Sequence, residues 1–412
     1  MTTLRAFSLR LRAPETGAGA SPLLFARGLR AIGDGYLAVL LPVYLLALGL
    51  DTLQIGVIAT ATLLGSALST IAIGVWGHRW SSRGLLQAAG LLMAATGVGF
   101  AGCTSFWPLL GVAFIGTLNP SAGDVSVFLP LEHARLAGVA RGEARTALFA
   151  RYSTIGALCA ALGALAAGLP DWLVQHAQAA RLDALRGMFL AYAAIGLVVW
   201  AIYRATPADR PVADEAMRAA PLTASRRIVV RLAALFSVDA FAGGLIINAL
   251  MSLWLLQRFG LSLAQAGAFF FWTGLLSAAS QFAAPRVARR FGLLNTMVFT
   301  HIPSSVCLIV AALVPSLPAA LALLLVRSAL SQMDVPTRSA YVMSVVTPPE
   351  RAAAASFTAV PRSLAASLSP SIAGALLAAG WLALPLVACG VLKIAYDLTL
   401  WHACRNEPLN DP

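Results

Sequence analysis

Charge is scarce in this sequence: Asp, Glu, Lys and Arg make up only 11% of its 412 residues, against roughly 25% in an ordinary globular chain. A soluble fold of this size needs more polar surface than so few charges provide. Disorder is excluded for the opposite reason, because disordered chains are poor in apolar residues and this one is 59% hydrophobic. Lysine is almost missing, with Lys393 standing alone. A phosphate-binding Gly-Lys-Ser/Thr loop is therefore absent, and ATP hydrolysis of that kind is excluded. The five cysteines (Cys103, Cys159, Cys307, Cys389, Cys404) show no Cys-x-x-Cys spacing and read as small buried apolar residues. His78, His133, His176, His301 and His402 form no His-x-x-x-His pair, and Gly-x-Ser-x-Gly does not occur. No cofactor and no metal is expected.

What the chain has in abundance is apolar length. Its mean hydropathy is +0.80, and a spanning helix needs about 20 mainly apolar residues. Scanning at that length predicts twelve spans: 23–49, 53–77, 85–104, 107–130, 146–169, 187–204, 229–257, 263–285, 294–314, 317–343, 352–379 and 381–402. Only helices and closed barrels satisfy the backbone in lipid, and the short alternating pattern of barrel strands is missing. The expected fold class is an all-α polytopic membrane protein. Met1 to Ser21 holds Arg5, Arg10 and Arg12 but no apolar stretch before a cleavage site, so no cleaved signal peptide is expected.

The net charge of +12 and pI near 10.4 fit basic loops on one membrane face rather than nucleic-acid binding. Arg79 and Arg83 lie between spans two and three. Arg135, Arg141 and Arg145 follow span four, and Arg204 to Arg231 fill the middle connection. Arg286, Arg289 and Arg290 follow span eight, while the alternate loops hold only Arg181, Arg186 and Arg258. Both termini are thus predicted on the cytoplasmic side.

The chain also repeats itself. Gly49-Leu50-Asp51-Thr52-Leu53-Gln54-Ile55-Gly56 matches Gly260-Leu261-Ser262-Leu263-Ala264-Gln265-Ala266-Gly267 at an offset of 211. Arg79 meets Arg290, and Arg151 meets Arg362, at the same offset. A constant offset over several matches implies two parallel six-helix repeats. The expected organisation is an N-terminal tail 1–22, a six-helix bundle 23–205, a linker 206–227, a second bundle 228–403 and a C-terminal tail 404–412.

Twelve spans, two six-helix repeats, a long central loop and cytoplasmic termini together resemble the major facilitator superfamily over nearly the whole chain. That family carries Gly-x-x-x-Asp-Arg-x-Gly-Arg-Arg after its second helix. Gly74, Arg79 and Arg83 match it here, while His78 stands at the acid and Ser81 at the second glycine. The second half keeps Arg290 and Gly292, with Arg289 where the acid would be. In the family the acid helps latch the cytoplasmic gate, so the resemblance leaves that latch without its carboxylate. An arginine typical of helix four is replaced by Gly116, and Arg327 occupies the equivalent place in helix ten. The segment Ser331 to Arg338 is similar to bacterial efflux-type members.

Ionisable groups inside spans are costly and mark function. Asp34 lies about 16 Å beyond Leu23, near the midplane of a roughly 30 Å hydrocarbon core, and Asp239 lies at a similar depth in span seven. Asp34 and Asp239 are candidates for proton coupling or substrate binding, with Tyr36 and Asn248 as polar neighbours. Pairing of Asp34 with Arg30 at i, i+4, with Arg27 on the same face, is the structural alternative. Asp124 with Arg151, and Asp334 with Arg362, read either as symmetry-related gate pairs or as ties between neighbouring helices. Arg327 and Arg338 complete the candidate charges. Lys393 and Asp397 read as a self-satisfying i, i+4 pair.

Gly97-Val98-Gly99-Phe100-Ala101-Gly102 matches a dinucleotide fingerprint, but it lies inside an apolar helix with no preceding strand and carries no such reading. The expectation is a secondary transporter working by alternating access in an inner membrane. Its partners are the lipid bilayer, protons and a small organic solute, with no nucleic acid, and a monomer suffices. Export of drug-like molecules is the first expectation, and uptake of a polar or anionic solute through Arg27, Arg30 or Arg327 the second. A membrane-embedded enzyme is the distant alternative.

Overall fold

The computed structural model describes residues 20–121, 126–139, 142–207 and 222–405. Among these residues it is helical throughout and contains no strand. The first three rods are α1 (Ala20–Ala47), α2 (Thr52–Trp76) and α3 (Ser82–Gly102). The fourth is divided into α4 (Phe106–Ile115) and α5 (Phe128–Val139). The fifth is α6 (Gly142–Ala166), extended by the short α7 (Leu169–Ala177), and the sixth is α8 (Arg181–Ala205). In the second half α9 (Arg226–Gly244) and α10 (Asn248–Phe259) share a rod, followed by α11 (Leu263–Phe291) and α12 (Leu293–Leu313). The tenth rod is divided into α13 (Leu317–Ser331) and α14 (Asp334–Val345), and α15 (Arg351–Ala378) and α16 (Leu384–Cys404) close the series. Nine stretches among the described residues are long and apolar enough to cross a membrane. The divided fourth rod, α11 and α15 make the order compatible with twelve crossings.

One expectation needs correcting. The span placed at 107–130 is not a continuous helix, because α4 stops at Ile115 and Gly116 turns extended at φ −71°, ψ −177°. Pro120 brings no N–H to a helix ladder. The Asn119 side-chain oxygen accepts from the Ser121 N–H at 3.1 Å and its hydroxyl at 2.8 Å, an alternative to helical bonding. Helix resumes at Phe128 and carries Glu132 and Arg135, which the sequence places in a loop, on α5. Gly102 has open space beside it, whereas a Cβ on Gly97 would meet the Phe189 carbonyl at 2.5 Å.

The internal repeat is visible atom by atom. Asp51 caps α2 by accepting from the Gln54 N–H at 2.7 Å, while the Gln54 side chain accepts from the Asp51 N–H at 3.0 Å. Ser262 and Gln265 form the same reciprocal box at the start of α11, at 3.2 and 3.0 Å. Just before each box, Gly49 and Gly260 take φ of +85° and +67°, backbone that favours glycine. Packing repeats too: α1 lies on α6 as α9 lies on α15, and α3 on α8 as α12 on α16.

The two halves meet along α2 against α15, α6 against α11 and α1 against α10. The tightest approaches lie toward the membrane end remote from the termini. A Cβ on Gly56 would meet the Pro370 carbonyl at 2.5 Å, and one on Gly267 the Ala164 carbonyl at 2.4 Å. Two polar ties accompany them: the Ser371 N–H donates to Thr60 Oγ1 at 2.9 Å, and Ser252 Oγ donates to the Val39 carbonyl at 2.8 Å. The apolar core is continuous across the halves there, through Leu40, Tyr44, Leu250 and Trp254. At the terminus-bearing end Val229, Phe236, Tyr341 and Leu400 form a separate cluster of the second half. The close neighbours of α5 and α14 belong to their own halves. Among the described residues the shortest approaches between the halves thus lie at one end of the bundle.

Candidate functional site

Asp239 of α9 is the hub of a buried charge network inside the second half. Lys393 of α16 donates to its Oδ1 at 2.5 Å, and Arg338 of α14 approaches its Oδ2 at 3.1 Å. Arg338 also pairs with Asp334, one helical turn away on the same face. Lys393 Nζ lies 3.5 Å from His301 Nε2 on α12, and His301 Nδ1 lies 2.9 Å from Asp397 Oδ2 on α16. Four rods thus place three carboxylates, two fixed cations and one imidazole in contact. Each of the six is buried, at 9% exposure or less. Charges at such depth persist because each has an opposite partner within reach. The ring of Phe236 lies under the Arg338 guanidinium at 5.3 Å.

The first half holds a different network. Glu132 of α5 is wholly buried and pairs with Arg30 of α1, while the hydroxyls of Tyr152 and Tyr203 donate to it. Arg30 stacks on Phe128 at 4.0 Å, and Arg27 lies over Tyr152 at 5.3 Å. Asp34 is part-exposed, within electrostatic reach of Tyr36 and Tyr192. Tyr36 donates to the Met188 carbonyl at 3.0 Å. Asn248 opens α10, where the neighbouring Ala249 N–H donates to the Pro120 carbonyl at 3.1 Å. At that point the broken fourth rod touches the broken seventh.

The structure brings together Asp239, Asp334 and Arg338 and leaves Asp34 in the other half. It corrects two pairings. Asp334 joins Arg338 rather than Arg362, and Arg362 forms no ion pair or hydrogen bond with a described residue. Lys393 and Asp397 do not satisfy each other, since their partners are Asp239 and His301 on other rods. Asp124 lies outside the described residues, so its pairing with Arg151 does too. Arg327 also forms no ion pair or hydrogen bond with a described residue. His301 and Glu132 escaped the sequence reading. Glu132 carried a signal, as a carboxylate following so closely on an apolar run, whereas His301 has its partner Asp397 96 positions away.

In the loop signature Gly74 has open space beside it, and Arg79, Arg289 and Arg290 are exposed. His78 sits in a short turn of helix, Gly77–Arg79. Arg83 donates to the Arg204 carbonyl, and Gly292 ends α11 at φ +84°.

A family model described as the Major Facilitator Superfamily matches residues 23–332. The chain belongs to the Major Facilitator Superfamily. The match spans the whole first half and enters the tenth rod of the second. An uncharacterized membrane protein of Saccharomyces cerevisiae is 25% identical over 406 residues, covering 90% of this chain and 91% of the relative. Among solved superfamily folds, a bacterial homolog of the human lysosomal transporter Spinster, inward-facing and unoccupied, superposes with a TM-score of 0.72 at 16% identity. That match covers 96% of this chain and 98% of the other. A D-xylose-proton symporter gives 0.71 at 15% identity, covering 93% and 98%. A POT family transporter in complex with 5-aminolevulinic acid gives 0.72 at 14%, covering 94% and 97%. At these identities the likeness establishes the superfamily fold.

Proposed function

We propose that this protein is a proton-coupled secondary transporter of a small organic solute, moving it by alternating access between the two halves. The observation that supports this reading most is Asp239. It is a buried carboxylate held by Lys393 and Arg338 at once, on the rod that breaks at Gly244 and contacts the opposite half through α10. A carboxylate with exchangeable cationic partners loads a proton when one partner leaves, and a rod broken beside it links that exchange to rocking. Asp34 serves as the corresponding group of the first half, closer to solvent. Both termini face the cytoplasm of an inner-type membrane, with one chain as the working unit, and export of drug-like solutes follows from the largely apolar rods.

A second reading, movement of an anionic solute, draws on Arg327 and Arg362, two cations within rods ten and eleven that have no ion pair or hydrogen bond among the described residues. The test is proton flux in proteoliposomes holding a pH-sensitive dye, challenged with cationic, neutral and anionic solutes. Wild type runs beside Asp34→Asn and Asp239→Asn. A solute class that moves protons only with wild type establishes the coupling and its substrate class together. Equal flux in wild type and Asp239→Asn removes Asp239 from the role.

A further inference from the structure

We propose that His301 is a proton-binding site of the transport cycle, and that its protonation releases Lys393 from Asp239. The inference deepens the proton-coupling reading above and rests on it.

The hydrogen-bond pattern fixes the ring. A lysine ammonium donates and never accepts, so the His301 Nε2 facing Lys393 Nζ at 3.5 Å must accept. The remaining hydrogen then sits on Nδ1, where it donates to Asp397 at 2.9 Å to Oδ2 and 3.1 Å to Oδ1. Neutral His301 with hydrogen on Nδ1 is the single form that satisfies every contact around it. A second proton has only Nε2 to go to, and there it points N–H at N–H toward the ammonium.

Two donors of like charge at that distance, in a site of low dielectric, repel. One of them must turn away. His301 is tied by Asp397, whose attraction grows when the ring becomes cationic. Lys393 is the mobile partner, with four rotatable carbons behind its nitrogen. Its departure leaves Asp239 with Arg338 alone and frees α16 from α9 at that level.

α16 presents Lys393, Asp397 and the ring of Tyr396, 6.4 Å away between centroids. α9 presents Asp239, and α14 presents Asp334 and Arg338. α13 carries Arg327, and α11 carries no ionisable residue before Arg286. Protonation of the His301 ring thereby decides the presence or absence of the Lys393–Asp239 pair between α16 and α9.

The experiment is nitrogen NMR of purified protein labelled at histidine and lysine side chains, recorded across the pH range in which it stays folded. Lys393 gives one side-chain signal, because it is the only lysine. His301 is assigned by the signal lost in His301→Gln. If that variant does not fold, replacing the four other histidines leaves His301 as the one ring observed. The expected result is a neutral ring with hydrogen on Nδ1 at alkaline pH, becoming doubly protonated on acidification, with the Lys393 signal moving in the same step. In Asp239→Asn the Lys393 signal sits at its displaced position from the start. A ring that stays neutral throughout, a neutral ring protonated on Nε2, or a Lys393 signal indifferent to the His301 step overturns the proposal. Flux in proteoliposomes decides the coupling reading separately. A titrating His301 without solute-driven proton flux sinks that reading, and flux with a silent ring sinks this inference.

Discussion

Lys393 and Asp239 join the last rod of the bundle to the seventh at 2.5 Å, and Arg338 shares the same carboxylate at 3.1 Å. The arrangement is lopsided: one anion serves two cations, and the second cation has Asp334 in reserve. Removing one partner of a buried pair costs about 3–5 kcal/mol, because the other is left uncompensated. Lys393→Met leaves Asp239 with Arg338 and falls below that range. Asp239→Asn strands Lys393 beside His301 and reaches it. The double variant Asp239→Asn, Lys393→Met recovers part of the loss. Thermal unfolding in detergent, compared across the three, checks the order.

Gly56 and Gly267 stand at the same place in the two repeats, and each faces a backbone carbonyl of the opposite half. A carbonyl cannot yield as a flexible side chain does. Gly56→Ala is expected to pry the halves apart there rather than to destabilise either one. A cysteine at Thr60, beside that seam, should label with a thiol reagent several-fold faster in the Gly56→Ala background. Gly74→Ala is the control, with no atom within 4 Å of its added carbon. Equal labelling in the Gly56→Ala and parent backgrounds would show the seam to be tolerant.

Glu132 accepts from two tyrosines and a guanidinium. Tyr203→Phe removes one neutral donor from a charged acceptor and is expected to cost about 1.5–3 kcal/mol. Glu132→Gln removes the buried charge that the Arg30 guanidinium faces and costs more, about 3–5 kcal/mol. The ratio of the two losses in one unfolding assay checks that the carboxylate charge, rather than its shape, holds α5 to α1.

Much of this bundle was legible in the sequence because membrane spanning imposes long apolar runs, and caps are local. The Asp51–Gln54 and Ser262–Gln265 boxes are read from four consecutive letters. The rod interruptions were less legible: a span-length window averages the polar stretch from Thr117 to Ser126 with the apolar residues around it, and hydropathy does not register lost helical bonding. Interhelical partners were least legible. Lys393 sits four residues from Asp397, yet its bonded anion lies 154 positions away. Spacing along a helix says which residues share a face, and only packing says what that face meets.

Outside the membrane, Glu350 accepts from the backbone N–H groups of Thr223, Ala224 and Ser225 and from the Thr223 hydroxyl. The backbone bond from Thr223 is the largest of the effects that hold this carboxyl well below the usual carboxylate range. A depressed folded value means that its stabilisation is complete above the unfolded value, about 4.3, and fades as pH falls toward the folded one. Glu350→Gln should therefore unfold at lower temperature than wild type at pH 7. The gap should narrow steadily below about pH 4. A gap independent of pH would mean that the charge of Glu350 contributes nothing.

The lone lysine carries a chemical consequence. Its amine lies buried against a carboxylate, so reagents that acylate, formylate or crosslink side-chain amines find none to attack while that pair is closed. Every such modification on a side chain of this molecule would have to wait for the pair to part. Acylation of Lys393 is then a count of how often it does.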